Sequence, residues 1–369
     1  VRDEYLEYQI WDTIQALASY LRGILTTKAV LEASGVGSEK ASALAATIAW
    51  VIRDGFGIMA SLCFSYFAAT NIDSNAKEWR IFADVINDVG YSINMVASLF
   101  KEWYLPLSCV ASSCYALCGI AAGCSKATIT AHFALQGNMA DLNAKENAQE
   151  TAITLFGMVV GIMVAKRVEA SPALAWLVFL VCTFLHVYAN WRCISCLKLE
   201  TLNPQRTQIL IKNFLAGDLK KLSPLAVSIE ERLWRPIVLT FTGPKIGASL
   251  KNNTSAEDFK WLSGVYKNRK HMMFVRPRDC RVCVALSVDA SPTDELMAFF
   301  QCCIFERLVK RELKALVHKP VQLQDAIRES LKQTDTDFQS FFQNLNDNKW
   351  NTQRVYLASD AWRCRWNEE

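Results

Sequence analysis

Several ionisable side chains in this chain sit inside otherwise apolar stretches, where charge is costly and marks a site that binds, conducts or pairs. Asp84 and Asp88 are four residues apart, hence on one helical face, with Asn87 beside them and Lys77 and Arg80 one to three turns earlier. Asp12 and Gln15 share a face of the first helix with Tyr8 and Ser19, and Arg53–Asp54 interrupts a continuous apolar run. The polar segment His132–Glu150 falls between two apolar stretches. In it Asp141 and Lys145 have the spacing of an i,i+4 ion pair, with Asn138 and Gln149 on nearby turns. Residues of these types could hold a polar ligand or line an ion pathway. Equally, they could neutralise one another and fix helix packing, since buried ion pairs are weak evidence for either role.

Signatures of catalysis are missing: no G-x-S-x-G, P-loop, G-x-G-x-x-G or H-E-x-x-H occurs. Four histidines argue against a His-based metal site, and no catalytic residue, metal or cofactor is expected. The pairs Cys193/Cys196 and Cys280/Cys283 have zinc-like spacing. The first falls at the end of an apolar helix and the second in or beside a strand, a poor context for one tetrahedral site. A pyridoxal phosphate enzyme working through Lys145 lacks any visible phosphate cradle.

The elements that must position these groups divide the chain in two. Trp103–Ser125 and Ala170–Trp191 contain no charge, and a span needs about 20 such residues. Gly55–Ile72 and Thr151–Ala165 are shorter spans, the latter in a tight hairpin with the span after it, while Tyr8–Leu31 and Glu78–Phe100 carry ionisable groups on apolar helices. Four to six crossings follow, with six favoured; the alternative is a very apolar soluble bundle. Gly119/Gly123 and Gly157/Gly161 have the spacing that lets helices approach closely in lipid.

After Arg192 charge returns. Lys198–Leu215 reads as an amphipathic helix, and Pro204, Pro224, Pro236 and Pro244 punctuate a linker. Then come a helix over Ser255–Tyr266 capped by Ser255, strands over Met272–Val275 and Arg281–Val288, a helix over Thr293–Leu316 capped by Thr293, a helix over Asp337–Asn346 and a strand over Thr352–Ala358. The fold class expected is mainly α: a polytopic helical membrane domain (1–200), an amphipathic helix and linker (201–235), and a small soluble α+β domain (236–369). An antiparallel sheet with helices on one face suits that order.

A net charge of +4 spread along 369 residues makes no basic stripe, so nucleic acid is not an expected partner. Thirteen cysteines, an odd number and mostly in apolar helices, read as reduced thiols on the reducing side of a membrane.

Long motifs run through the chain: Y-L-E-Y-Q-I-W-D-T-I-Q-A (Tyr5–Ala16), W-V-I-R-D-G-F-G (Trp50–Gly57), D-S-N-A-K-E-W-R-I-F-A-D-V-I-N-D (Asp73–Asp88) and N-M-A-D-L-N-A-K-E-N-A-Q-E-T (Asn138–Thr151). H-V-Y-A-N-W-R (His186–Arg192), T-L-N-P-Q-R (Thr201–Arg206) and the tryptophan-rich end (Trp350–Trp366) come after them. In content and order these motifs resemble the root UVB-sensitive family over nearly the whole chain. The family's proline-containing lead-in before Tyr5 is not present. The resemblance implies membrane association, in plastids for some members, pairing between members, and links to UV-B responses, seedling development, auxin transport and vitamin B6 homeostasis. It brings no catalytic residue set.

The leading expectation is therefore a membrane protein that transports or binds a small polar metabolite, a B6 vitamer or an indole acid. Its site would draw on Asp12, Arg53, Asp54, Lys77, Arg80, Asp84, Asn87, Asp88, His132, Asn138, Asp141, Lys145, Gln149 and Glu150. Arg53–Asp54 would serve as a gate or packing pair. The alternative is a non-transporting membrane scaffold whose soluble domain recruits a partner. Expected partners are membrane lipid, a small-molecule ligand and a second family chain, as a homo- or hetero-oligomer. An intracellular or organelle membrane, a plastid one in a plant, is the expected location.

Overall fold

The computed structural model describes residues 1–34, 43–68, 74–234, 243–251, 253–309, 312–357 and 360–366. The chain forms two compact units, Val1–Leu197 and Lys198–Glu369.

Among the described residues the first unit is helical: α1 (Tyr5–Ala33), α2 (Ala43–Ala68), α3 (Ala76–Ala97), α4 (Tyr104–Phe133), α5 (Met139–Val168) and α6 (Pro172–Ser195). Four of these, α2, α4, α5 and α6, are long and apolar enough to cross a membrane. The other two, α1 and α3, fall short of the six favoured crossings because they carry the polar residues and turn them inward. On α1 the buried face includes Gln9, Arg22 and Thr26; on α3 it includes Lys77, Glu78, Asp84 and Asp88. A polar stripe of this kind lowers the mean apolarity along the sequence.

Helix α1 lies against α3, α5 and α6, and α3 against α4 and α6, while α2 rests chiefly on α4. Two glycines of α5 set its approach to α1. A Cβ at Gly157 would stand 2.8 Å from the Tyr20 ring, and one at Gly161 would run into the Ile24 side chain, so a side chain at either would push α1 side chains aside. Gly119 and Gly123 do not pack in this way, since a Cβ on either would meet nothing within 4 Å. The polar segment His132–Glu150 starts in the last turn of α4. After a turn at Gly137 (φ +69°) it becomes the first half of the 30-residue α5.

The second unit contains β1 (Thr201–Leu202), α7 (Pro204–Leu215), α8 (Pro224–Glu230), β2 (Lys245–Ile246), α9 (Ala256–Val265), β3 (His271–Arg276), β4 (Arg281–Ser287), α10 (Pro292–Val309), α11 (Leu313–Leu316), α12 (Pro320–Asp347), β5 (Asn351–Val355) and β6 (Arg363–Cys364). Pro204 and Pro224 open helices here rather than punctuating a linker. Asn203 Oδ1 accepts from Arg206 N (2.8 Å) and Ser223 Oγ from Ala226 N (3.3 Å), each with proline at the first helical position. Pro236 lies outside the described residues.

The sheet is mixed, not antiparallel. β3 pairs antiparallel with β4, while β2 and β6 both pair parallel with β4, and β5 stands apart against β1. Both faces of β4 are covered, from Val282 through Leu286, which is why its sequence reads as a continuous apolar run; Val288 is exposed. The cap of α10 is Ser291, not Thr293, because Ser291 and Asp294 exchange bonds between side chain and backbone N–H. α12 runs over 28 residues, far longer than Asp337–Asn346, its apolar stripe (Ile327, Leu331, Phe338, Phe341, Leu345) packing into the unit's core. That core also takes Leu202, Leu210, Ile211, Leu222 and Val227 from the segment read as helix and linker.

Candidate functional site

The polar residues of the first unit gather around α1 and α3. Arg22 of α1, fully buried, forms an ion pair with Asp88 of α3. His186 of α6 stands 3.0 Å from the same carboxylate through Nδ1, and its Nε2 meets the Asn190 side chain at 3.2 Å. Three helices are thus tied through one carboxylate. Elsewhere on α3, Arg80 lies between Asp84 (3.4 Å) and Asp12 of α1 (3.7 Å), so the two acids of α3 each have their own cation. Asp12 also accepts from Gln15 Nε2 at 3.1 Å.

Towards the other end of α1, Glu146 of α5 is buried and accepts from Gln9 (3.3 Å) and Thr130 of α4 (3.2 Å). His132 stands 3.0 Å from Glu4, and Gln149 donates to Thr13 at 2.7 Å. Lys77, 1% exposed, donates to the Leu197 carbonyl at the end of α6 (2.7 Å), a cation on the unsatisfied carbonyls of a helix terminus.

Beside this network an open cleft of about 440 Å3 is bounded by α1, α3, α4 and α5. Gln15, Ser19, Arg80, Lys126 and Glu150 give it polar walls, with Lys126 and Glu150 ion-paired across α4 and α5. Gly123 lines it as well, so the bare backbone of α4 makes room where close packing was expected. A space of this size, with a few converging polar groups, suits a metabolite; such sites run from roughly 300 to 1,000 Å3.

The relatives of the chain bear on what such a cleft would hold. Residues 1–218 match the family model described as "Vitamin B6 photo-protection and homoeostasis domain", and residues 220–366 match "Root UVB sensitive protein, C-terminal". "Protein root UVB sensitive 3" of Arabidopsis thaliana is 32% identical over 99% of this chain and 83% of its own length. The chain belongs to the root UVB-sensitive family. "RUS family member 1" of Dictyostelium discoideum is 38% identical over 63% of this chain and 46% of that protein. "Protein root UVB sensitive 2, chloroplastic" of Arabidopsis thaliana is 26% identical over 99% of this chain and 82% of its own length. No solved structure matches this chain.

Of the sequence-predicted residues, the structure brings Asp12, Arg80, Asp84 and Asp88 together, and places Gln149 and Glu150 on the α5 wall nearby. His132 and Lys77 are bound up at helix ends. Others lie apart. Asp141 and Lys145 are both exposed on α5 and form no ion pair with each other, while the neighbouring Glu146 is turned inward. Asn138 precedes α5 without capping it through its side chain, and Asn87 is half-buried on α3. Arg53 and Asp54 pair with each other (2.8 Å) on the outer part of α2, Asp54 exposed, instead of joining the buried network. Three central residues escaped the prediction: Arg22, Glu146 and His186. The signal for His186 was an i,i+4 His–Asn pair inside an uncharged stretch, and for Arg22 a single charge in the run between Asp12 and Lys28 of α1.

Proposed function

We propose that the helical unit is embedded in a membrane, where it binds and transports a small polar metabolite, and that a B6 vitamer is the first cargo to test. The polar cleft carries this reading. It offers two cations and a carboxylate, Arg80, Lys126 and Glu150, between helices whose outer faces are apolar. Cargo with an anionic group and a ring hydroxyl or nitrogen would find donors and acceptors there. The choice of vitamer rests on the description of the matching family model. Binding without chemical conversion is part of the proposal, as is residence in an organelle membrane; one relative is named chloroplastic. We place the second unit on the reducing side of that membrane, because its Cys280, Cys283, Cys302, Cys303 and Cys364 are free thiols.

Isothermal titration of the detergent-purified full chain with pyridoxine and pyridoxal 5′-phosphate tests binding, and uptake of the labelled vitamers into proteoliposomes tests transport. Saturable binding that falls at least tenfold in Arg80→Gln and in Lys126→Gln is expected. No binding of either vitamer would remove B6 as the cargo.

A second reading, a scaffold that recruits a paralogous chain, draws on a groove of about 570 Å3 in the second unit, between α7 and α10. Its wall alternates apolar Ile209 and Leu215 with Lys212, Glu306 and Arg307. Loss of partner capture in Ile209→Asp, with vitamer binding intact, would favour it.

A further inference from the structure

A second open cleft, about 700 Å3, continues beyond the polar one, and the two share two lining residues, Tyr20 and Tyr91. Their other walls advance in step along every helix they have in common. On α1 the polar cleft touches residues from Gln15 to Tyr20, and the second cleft residues from Tyr20 to Leu31. On α3 the sequence is Arg80 and Tyr91, then Tyr91 and Asn94. On α4 the order runs backwards, Lys126 and Gly123 to Tyr115. The clefts are therefore stacked along the bundle. From Gln15 to Leu31 the rise of an α-helix gives about 24 Å, most of the roughly 30 Å hydrocarbon thickness of a bilayer.

Each end carries a cation: Arg80 and Lys126 at one, Arg53 of α2 at the other. Thr26 and Asn94, which line the second cleft, each keep one buried polar atom, Oγ1 and Oδ1, without a hydrogen-bond partner just behind its wall.

What separates the clefts is seated by glycine. Tyr20 leans on α5 where Gly157 lacks a side chain, and the Tyr91 hydroxyl would stand 3.4 Å from a Cβ at Gly23, so its ring reaches from α3 to α1. The guanidinium of Arg22 lies 5.0 Å from the Tyr91 ring, fixed there by its pair with Asp88. We infer that the two clefts are the half-routes of one passage through the helical unit, and that Tyr20 and Tyr91 are the barrier between them. This deepens the transport reading and rests on it for the cargo alone.

Sidedness of thiol labelling tests the passage without any cargo. Thr154 lines the polar cleft and Thr27 the second one, and both are exposed, so cysteine is a mild change at either. The full-length Thr154→Cys and Thr27→Cys chains, reconstituted in vesicles, are treated with a sulfonated, membrane-impermeant thiol reagent from one side or the other, with modification read at that position by mass spectrometry. Each should react at least tenfold faster from one side, and the two from opposite sides. Reaction of both from the same side overturns the passage. Adding Tyr20→Ala with Tyr91→Ala should let each position react from both sides; unchanged sidedness in that folded variant overturns the barrier. If the double variant fails to fold, the first comparison still decides. Failure of vitamer binding would leave these readouts untouched, so it would count against the cargo and not against the passage.

Discussion

Arg22 and Asp88, 66 residues apart in sequence, form an ion pair whose cation is wholly buried between α1 and α3. Burial removes both groups from water, and their attraction offsets that cost only while the two remain together. His186 adds a second contact to the same carboxylate, which makes Asp88 the joint of three helices.

Removing one partner of this pair should therefore cost more than removing both. Arg22→Met leaves Asp88 with His186 alone and should lower stability by about 3 kcal/mol, whereas Arg22→Met with Asp88→Leu should recover at least half of that loss. Thermal unfolding of the two variants in detergent reads the difference. Equal destabilisation by the single and double changes would show that the pair is not coupled.

Membrane embedding makes a direct prediction. Helices α2, α4, α5 and α6 present long apolar faces, with Leu62 69%, Phe184 74% and Leu155 65% exposed in the isolated chain. Apolar surface that continuous calls for a cover of lipid or protein. The full-length protein should stay with the pellet on alkaline carbonate extraction and come out with detergent. A monodisperse aqueous species would end the membrane reading.

The helical architecture was legible because an uncharged stretch as long as Trp103–Ser125 is rare outside an apolar helix. Asp84, Asp88 and Arg80 were legible because charge on an apolar helix is conspicuous. What spacing could not supply was the partner. The i,i+4 pair Asp141–Lys145 satisfied the local rule and stayed apart, while Arg22 and Asp88, with no local relation, met through the packing of α1 on α3. The same limit hid the mixed sheet. The apolar run of β4 gives strand identity, but parallel pairing with β2 and β6 depends on segments only two residues long, too short to leave a pattern.

The second unit carries its own boundary test. Leu202, Leu210, Ile211 and Leu222 belong to its core, and Arg206 is buried with Glu231 (2.7 Å) while donating to the Thr201 carbonyl (2.6 Å). A fragment starting at Lys198 should melt cooperatively. One starting at Pro236 loses those side chains and the β1 partner of β5, and should show a broad transition or none. Calorimetry of the two fragments compares them, and equal cooperative melts would place the 198–235 segment outside the folding unit.

That fragment should also report one histidine through pH. Gln301, fully buried, donates from Nε2 to Tyr266 Oη (2.7 Å) and Ser330 Oγ (3.1 Å), which leaves its oxygen facing His271 Nε2 at 2.9 Å. His271 must then donate from Nε2, and the ring is satisfied as the neutral form. Burial pushes its pKa down to about 4 from the ordinary 6.5, against the smaller opposing effect of the Gln301 bond. Between these two values the unfolded chain binds a proton that the folded chain refuses, so stability rises with pH across that window and is complete above it. Lowering the pH from about 7 to about 5 should cost the fragment about 2 kcal/mol from this group. His271→Gln keeps a donor towards Gln301 and cannot titrate; it should be less stable at neutral pH yet lose about 2 kcal/mol less over the same change. Urea midpoints at the two pH values measure both quantities. Parallel losses in wild type and variant would mean that His271 accepts its proton while folded, and that the Gln301 network is open to water.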